Sequence, residues 1–119
     1  YTDNLNPEAD IPGLLKKFHE VLLARSDHFP TGGLRSRAIE LHDYRVADGA
    51  EDDAFVHVTL KIGGGRSAEV KKEACEALFE VMKRHFEKAF ADRFLALSLE
   101  LFEFQHPTYK QNNIHQRFN

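Results

Sequence analysis

The sequence of 119 residues has no tryptophan, one methionine and one cysteine, Cys75. A single thiol cannot form an internal disulfide, so the composition fits a protein of a reducing compartment. No apolar run reaches the roughly 20 residues that a membrane span requires, and the first residues do not have the pattern of a secretory signal. These absences predict a cytoplasmic protein that is not inserted in a membrane.

Excess positive charge is also lacking, because 16 Lys and Arg face 19 Asp and Glu for a net charge of −3. This balance argues against a general nucleic-acid or anionic-membrane binder. An anionic ligand would therefore need Arg or Lys side chains placed locally. The seven His are scattered, and neither a His-Glu-x-x-His motif nor a cysteine cluster occurs, so we expect no metal site.

The chain does have enough apolar side chains for a core, including ten Phe. Its length is that of one typical domain, and we predict a single domain over residues 1–119. Helical spacing of apolar residues predicts a first helix over residues 10–25, with Asp10 as cap and Pro12 in the first turn. Residues 34–46 are expected to be extended.

Strict alternation predicts a strand over residues 54–62 and another over residues 95–102. Between them, Ser67 is a natural cap for a long helix that should end near Arg93. Its apolar stripe consists of Cys75, Leu78, Phe79, Met82, Phe86 and Phe90. We expect this stripe to be core or subunit interface, and Cys75 to be a small core residue rather than a nucleophile.

The order of elements indicates an α/β fold of two β-α-β units. The predicted elements of the second half are a strand, a helix and a strand, whereas those of the first half are a helix and then an extended segment. Parallel pairing across a helix needs a strand on both sides of it. We therefore expect a first strand that precedes Tyr1 and is missing from this chain. The polar tail, residues 106–119, is expected to lie on a neighbouring subunit.

Two places in the sequence favour anion binding. A glycine turn at residues 63–65 joins a strand to a helix start, where free backbone donors and the Arg66 guanidinium could hold a carboxylate or phosphate. A flexible turn with a solvated Arg66 is the alternative. Arg35 and Arg37 lie on the same face of the predicted extended segment, where a common anionic partner would relieve the repulsion between them. The alternative is that both side chains are simply exposed on the surface.

Six segments carry a resemblance to a known family, in the same order along the whole chain. They are EADIPGL at 8–14, GLRSR at 33–37, ADG at 47–49, AFVHVTLKIGGGRS at 54–67, LALS at 95–98 and KQNNIH at 110–115. On these segments the chain resembles 5-carboxymethyl-2-hydroxymuconate isomerase, of the tautomerase superfamily.

The resemblance implies a tautomerase-like homotrimer and an isomerase of aromatic-acid degradation, including homoprotocatechuate degradation, that needs neither cofactor nor metal. Its substrate would be a small anionic unsaturated carboxylate, held by Arg35 and Arg66. The family's base is an amino-terminal proline, which would precede Tyr1, since Pro7 and Pro12 lie at the helix start. No catalytic residue is therefore expected within this chain. The alternatives are another tautomerase-superfamily enzyme, a decarboxylase or dehalogenase, and a non-catalytic trimeric ligand-binding protein.

Overall fold

Two parallel strands form the sheet in the computed structural model, which describes residues 1–118. Strand β1 comprises Ala54–Ile62 and strand β2 comprises Leu95–Glu103. They pair in register from Ala54 opposite Leu95 to Ile62 opposite Glu103. Both predicted strands are confirmed, and β2 continues one residue beyond the predicted range. The second half of the chain is thus a β-α-β unit.

The first helix, α1, comprises Ile11–Leu23. It begins where the sequence predicted, because the Asp10 carboxylate accepts a hydrogen bond from the Gly13 nitrogen at 3.3 Å. Pro12 fits this first turn, because a backbone N–H at the start of a helix has no intrahelical acceptor, and proline lacks only that group. The helix ends two residues before the predicted limit at Arg25.

The long helix of the second half divides in two. Helix α2 comprises Ala68–His85 and α3 comprises Glu87–Asp92. The Ser67 hydroxyl accepts from the Val70 nitrogen at 3.2 Å, so the predicted cap is confirmed. Continuity to Arg93 was predicted and is wrong, because Phe86, which is buried in the core, has a ψ of 16° that departs from helical geometry.

The core lies between the helices and one face of the sheet. Its buried members from the named elements are Leu14, Phe18, Leu22, Ala54, Val56, Ile62, Ala74, Leu78, Met82 and Leu95. Leu78 and Met82, in the middle of the predicted apolar stripe, therefore belong to the core. Phe90 is 61% exposed, so it does not belong to the core of one chain, and its place in a subunit interface stays a prediction. Cys75 is half-buried, and burial raises the pKa of its thiol, as expected for a residue without nucleophilic function.

Residues 34–46 do not form a strand, which corrects the interpretation of the first half. Within residues 1–118, this segment makes one parallel bridge, between Leu41 and Thr2. The Tyr1 nitrogen donates to the Ile39 oxygen, and the Leu41 nitrogen donates to the Tyr1 oxygen at 2.8 Å. Residues 35–38 have no such partner within the described chain, and an extended backbone without a partner is not a strand.

The tail folds back on its own chain. The short 3₁₀ helix Ile114–Phe118 packs against the 3₁₀ turn Thr31–Gly33, which directly precedes residues 34–46. This part of the tail contacts its own chain, and its contact with a neighbouring subunit stays a prediction. Among the helices of residues 1–118, none combines the length and the apolar character that a membrane crossing demands.

Candidate functional site

The glycine turn between β1 and α2 carries Arg66. Gly65 has a φ of 109°, a conformation that strongly favours glycine, and it turns the chain out of the sheet toward α2. An ideal Cβ on Gly63 or Gly65 would meet nothing within 4 Å, so the turn is open to solvent. The Ser67 hydroxyl accepts from one backbone donor of the helix start, and the first turn of a helix leaves further donors without an intrahelical partner.

Arg66 is half-buried and attached to the loop that follows α1. Its Nε donates to the His28 oxygen at 2.8 Å, and its Nη1 donates to the Gly63 oxygen at 3.1 Å. The guanidinium carbon lies 4.7 Å from the centre of the buried Phe29 ring. Arg66 is therefore held in a fixed orientation, and its Nη2 group makes no hydrogen bond to residues 1–118.

Arg35 lies on the same loop, seven residues after His28. Its side chain is exposed and makes no hydrogen bond or ion pair within the described residues. Arg37, two residues further along, is exposed in the same way. The structure thus connects Arg35 and Arg66 through residues 28–35, and it leaves donors on both side chains for a ligand.

An open cleft of about 360 Å³ adjoins the glycine turn. Its walls are Gly63, Gly64, Phe104, Gln105, His106, Pro107, Thr108 and Lys110. The size suits a small molecule, and the lining combines the Phe104 ring with the Lys110 ammonium. The cleft is too open to exclude water from a ligand within this chain alone.

Sequence reasoning from motifs missed two side chains, one that contacts Arg66 and one that contacts the turn before Arg35. Phe29 supports the Arg66 guanidinium, and Asn112 of the tail donates to the Gly32 oxygen at 2.9 Å. Phe29 belongs to a loop, where no periodicity marks a buried ring. The contact of Asn112 with Gly32 spans 80 positions, a separation that no local pattern reveals.

A polar cluster ties the amino-terminal residues to the extended segment. Ligand atoms of Asp3, Glu40 and His42 lie within 4.8 Å of one another, a spacing that a metal ion could use. The groups satisfy each other without one, because His42 Nδ1 is 2.9 Å from one oxygen of Asp3 and the Tyr44 hydroxyl donates to the other at 2.9 Å. We interpret the cluster as a hydrogen-bonded clasp.

The clasp should depend on pH. The hydrogen bond to Asp3 raises the pKa of His42 above its ordinary 6.5, and the hydrogen bonds from His42 and Tyr44 lower the pKa of Asp3 below its ordinary 3.8. The stability that His42 contributes to the folded protein is complete below pH 6.5 and is lost as pH rises through its raised pKa. That of Asp3 is present above pH 3.8 and is lost as pH falls through its lowered pKa. The clasp is therefore strongest between about pH 4 and 6.5.

An NMR titration of the His42 imidazole checks this expectation. We expect a midpoint above 6.5 that moves down in the Asp3→Asn variant, because the charged acceptor is gone. Tyr44→Phe, which removes a neutral donor from the same carboxylate, should move the midpoint less. A His42 midpoint that is identical in Asp3→Asn and in the unchanged protein would contradict the clasp.

Sequence comparisons relate the chain to known proteins. The family model described as 5-carboxymethyl-2-hydroxymuconate isomerase matches residues 1–118. The 5-carboxymethyl-2-hydroxymuconate Delta-isomerase of Escherichia coli is 48% identical over 119 residues, which cover 98% of this chain and 93% of that protein.

Two solved structures share the fold. A crystal structure of a 5-carboxymethyl-2-hydroxymuconate isomerase from Deinococcus radiodurans R1 superposes with a TM-score of 0.96 at 56% identity, covering 99% of this chain and 89% of that one. A second crystal structure, of a 5-carboxymethyl-2-hydroxymuconate delta-isomerase, has a TM-score of 0.86 at 24% identity, covering 99% of this chain and 88% of that one, which shows the fold alone. With a family model that matches residues 1–118 and a curated relative at 48% identity, this chain belongs to the 5-carboxymethyl-2-hydroxymuconate isomerase family.

Proposed function

We propose that this isomerase converts an unsaturated hydroxy di- or tricarboxylate, such as 5-carboxymethyl-2-hydroxymuconate, to its keto form in aromatic-acid degradation. The observation that carries the proposal is the family match over residues 1–118. The reaction moves the proton of an enol hydroxyl to a distant carbon, so it needs a base and a cationic surface that holds the carboxylates.

The two arginines supply that surface in the proposed mechanism. Arg66, fixed by His28 and Phe29, has an Nη2 group without a hydrogen bond to residues 1–118, and the exposed Arg35 has its whole guanidinium available. A guanidinium matches a carboxylate in bidentate geometry. Together they would orient the dienol and stabilise enolate charge as it develops. Because the protein has a net charge of −3, such local positive charge is needed to attract an anionic substrate.

We propose that a further strand, ahead of Tyr1, fills the slot between residues 34–40 and β1. Residues 1–3 support this, because they already hydrogen-bond to Leu41 on one side and to the Phe55 oxygen, in β1, on the other. Thr2 is opposite Leu41 in a parallel register, so a residue six positions before Tyr1 would be opposite Leu34. That position is adjacent to Arg35.

The amino-terminal proline of the family would occupy the start of this strand and act as the base. Its secondary amine, near cations and apolar groups, would have a lowered pKa and be neutral near pH 7. In this proposal the base would lie beside Arg35, at the end of the loop that also contacts Arg66.

Activity on a panel of substrates tests the proposed function. Ultraviolet loss of the dienol of 5-carboxymethyl-2-hydroxymuconate should be faster than that of other unsaturated hydroxy acids, as judged by kcat/KM. Decarboxylase and dehalogenase substrates serve as controls for the neighbouring activities. A protein that turns over one of those substrates and leaves the dienol unchanged would overturn the assignment.

We also propose that the protein is a homotrimer. Its radius of gyration is 16.1 Å, whereas a compact chain of this length would have about 13.5 Å. The face of the sheet opposite the helices carries His57, Ser98 and Phe102, which are exposed. Other exposed apolar residues include Ile39, Phe94 and Tyr109. Surface of this kind is typical of subunit interfaces.

Light scattering checks the oligomeric state. At micromolar concentration the complete protein should have three times the mass of one of its chains, to which residues 1–119 contribute 13.7 kDa. A charge at Phe102, in the variant Phe102→Glu, should dissociate the assembly if this sheet face is the interface, whereas Glu69→Lys on the exposed start of α2 should leave it intact. A monomer in the unchanged protein would refute the trimer.

Three more features are part of the proposal. We propose that residues 1–119 form a single domain, that the reaction needs neither cofactor nor metal, and that the enzyme works in the cytoplasm without nucleic-acid or membrane partners. The single cysteine and the negative net charge support the location and the choice of partners. The proposed chemistry needs only proton transfer and charge stabilisation, which supports independence of cofactors.

A further inference from the structure

The tail is attached to the turn before Arg35 by one side chain. Asn112 Nδ2 donates to the Gly32 oxygen at 2.9 Å. The Oδ1 atom of the same amide accepts from the Ile114 nitrogen at 2.8 Å. The Asn112 amide therefore shapes the start of the tail's 3₁₀ helix and ties it to Gly32 at the same time.

Packing at Gly32 makes this contact close and rigid. An ideal Cβ on Gly32 would lie 2.7 Å from the Cα and 2.9 Å from the nitrogen of His115, and it would also meet the His115 ring. Backbone atoms cannot move aside as the end of a flexible side chain can. Gly32 is buried, so the tail backbone closes directly over the turn.

The loop that leads to Arg35 is thus held from two sides. Arg66 holds its beginning through the His28 oxygen, and Asn112 holds it at Gly32, three residues before Arg35. From Arg35 onward, residues 35–38 have no backbone partner within the described chain. The tail therefore fixes the turn that ends directly before Arg35, in which the Leu34 nitrogen donates to the Thr31 oxygen at 3.1 Å.

We propose that Asn112 is a positioning residue that orients Arg35 toward the carboxylate of the substrate. The proposal rests on the proposed binding function of Arg35. Asn112 acts through Gly32 and does not touch the substrate. Its contribution is orientational, because a guanidinium on a loosened loop loses bidentate geometry, and a shift of about 1 Å can cost on the order of a hundredfold in rate.

Asn112→Asp and Asn113→Asp form a matched pair of variants. Asn112→Asp keeps the acceptor for Ile114 but replaces the donor to Gly32 by a carboxylate oxygen that repels the carbonyl. Asn113→Asp introduces the same charge one position along, on an exposed side chain without a hydrogen bond in residues 1–118. Each is measured in the complete trimeric protein, alone and combined with Arg35→Ala.

We expect Asn112→Asp to lower kcat/KM between about 10- and 100-fold, mainly through KM, while Asn113→Asp changes it less than about twofold. In the Arg35→Ala background, Asn112→Asp should add less than about twofold, because both changes remove the same interaction. Hydrogen exchange of a peptide covering residues 29–37 should become faster in Asn112→Asp and should not change in Asn113→Asp.

The outcomes separate this proposal from the proposed function. If Arg35→Ala lowers kcat/KM but Asn112→Asp does not, the positioning role is overturned and the binding role of Arg35 is retained. Full additivity of the two changes, or unchanged exchange of residues 29–37, also overturns the positioning role. If Arg35→Ala leaves the kinetics unchanged, the binding role fails, and the positioning role fails with it.

Discussion

Replacing Arg35 with alanine is expected to lower kcat/KM for the dienol by about 30- to 900-fold, the equivalent of roughly 2–4 kcal/mol of transition-state stabilisation. The physical reason is that Arg35 is an exposed cation without a partner in residues 1–118, so its charge is available to the substrate. Steady-state kinetics of the complete protein measure the effect. Fold and stability should change little, because the side chain supports no other group.

Arg66→Ala should lower kcat/KM over the same range and should also destabilise the protein. It removes hydrogen bonds to the His28 and Gly63 oxygens, which contribute about 1 kcal/mol each, and a stack on Phe29. Arg66→Lys separates the two effects, since it keeps the charge but loses the planar fork.

The control for both is Arg84→Ala, which removes the same charge from an exposed site at the opposite end of α2. Its kinetics should match those of the unchanged protein. Equal losses in Arg35→Ala, Arg66→Ala and Arg84→Ala would point to net charge rather than to a site. Unchanged kinetics in both Arg35→Ala and Arg66→Ala would exclude them from the site.

A polypeptide made to begin at Tyr1 is expected to have almost no isomerase activity, whereas a complete protein with an amino-terminal proline should be active. Loss of a general base costs on the order of 10²- to 10⁴-fold. His57 is not a substitute, because it lies on the open sheet face with Nδ1 at 2.6 Å from the Ser98 hydroxyl and Nε2 at 3.4 Å from Glu100. Mass spectrometry and the dienol assay, applied to both forms, measure the difference.

The shorter form should also unfold more easily, because the slot beside residues 34–40 and the edge of β1 would stay open. Thermal unfolding separates this loss from that of the base. In the complete protein, a blocked proline nitrogen should abolish activity without lowering the unfolding temperature. Full activity in a protein shown to begin at Tyr1 would refute the assignment of the base.

Local patterns of the sequence determined the elements that depend on local chemistry. Alternation over nine residues placed β1 at its exact bounds, since a strand with one buried face needs period-two burial. Capping placed the starts of α1 and α2, because Asp10 and Ser67 accept hydrogen bonds from donors three residues ahead. The family resemblance over six segments identified Arg35 and Arg66 as the residues to examine.

Only the tertiary structure decided what depends on distant partners. Residues 34–46 have extended character in the sequence, yet a strand exists only where another strand pairs with it, and within residues 1–118 only the bridge of Leu41 to Thr2 does so. The contacts of Arg66 with Phe29 and of Asn112 with Gly32 join segments 37 and 80 positions apart. Periodicity and capping carry no information at that range, so the geometry around the arginines came from the packed chain.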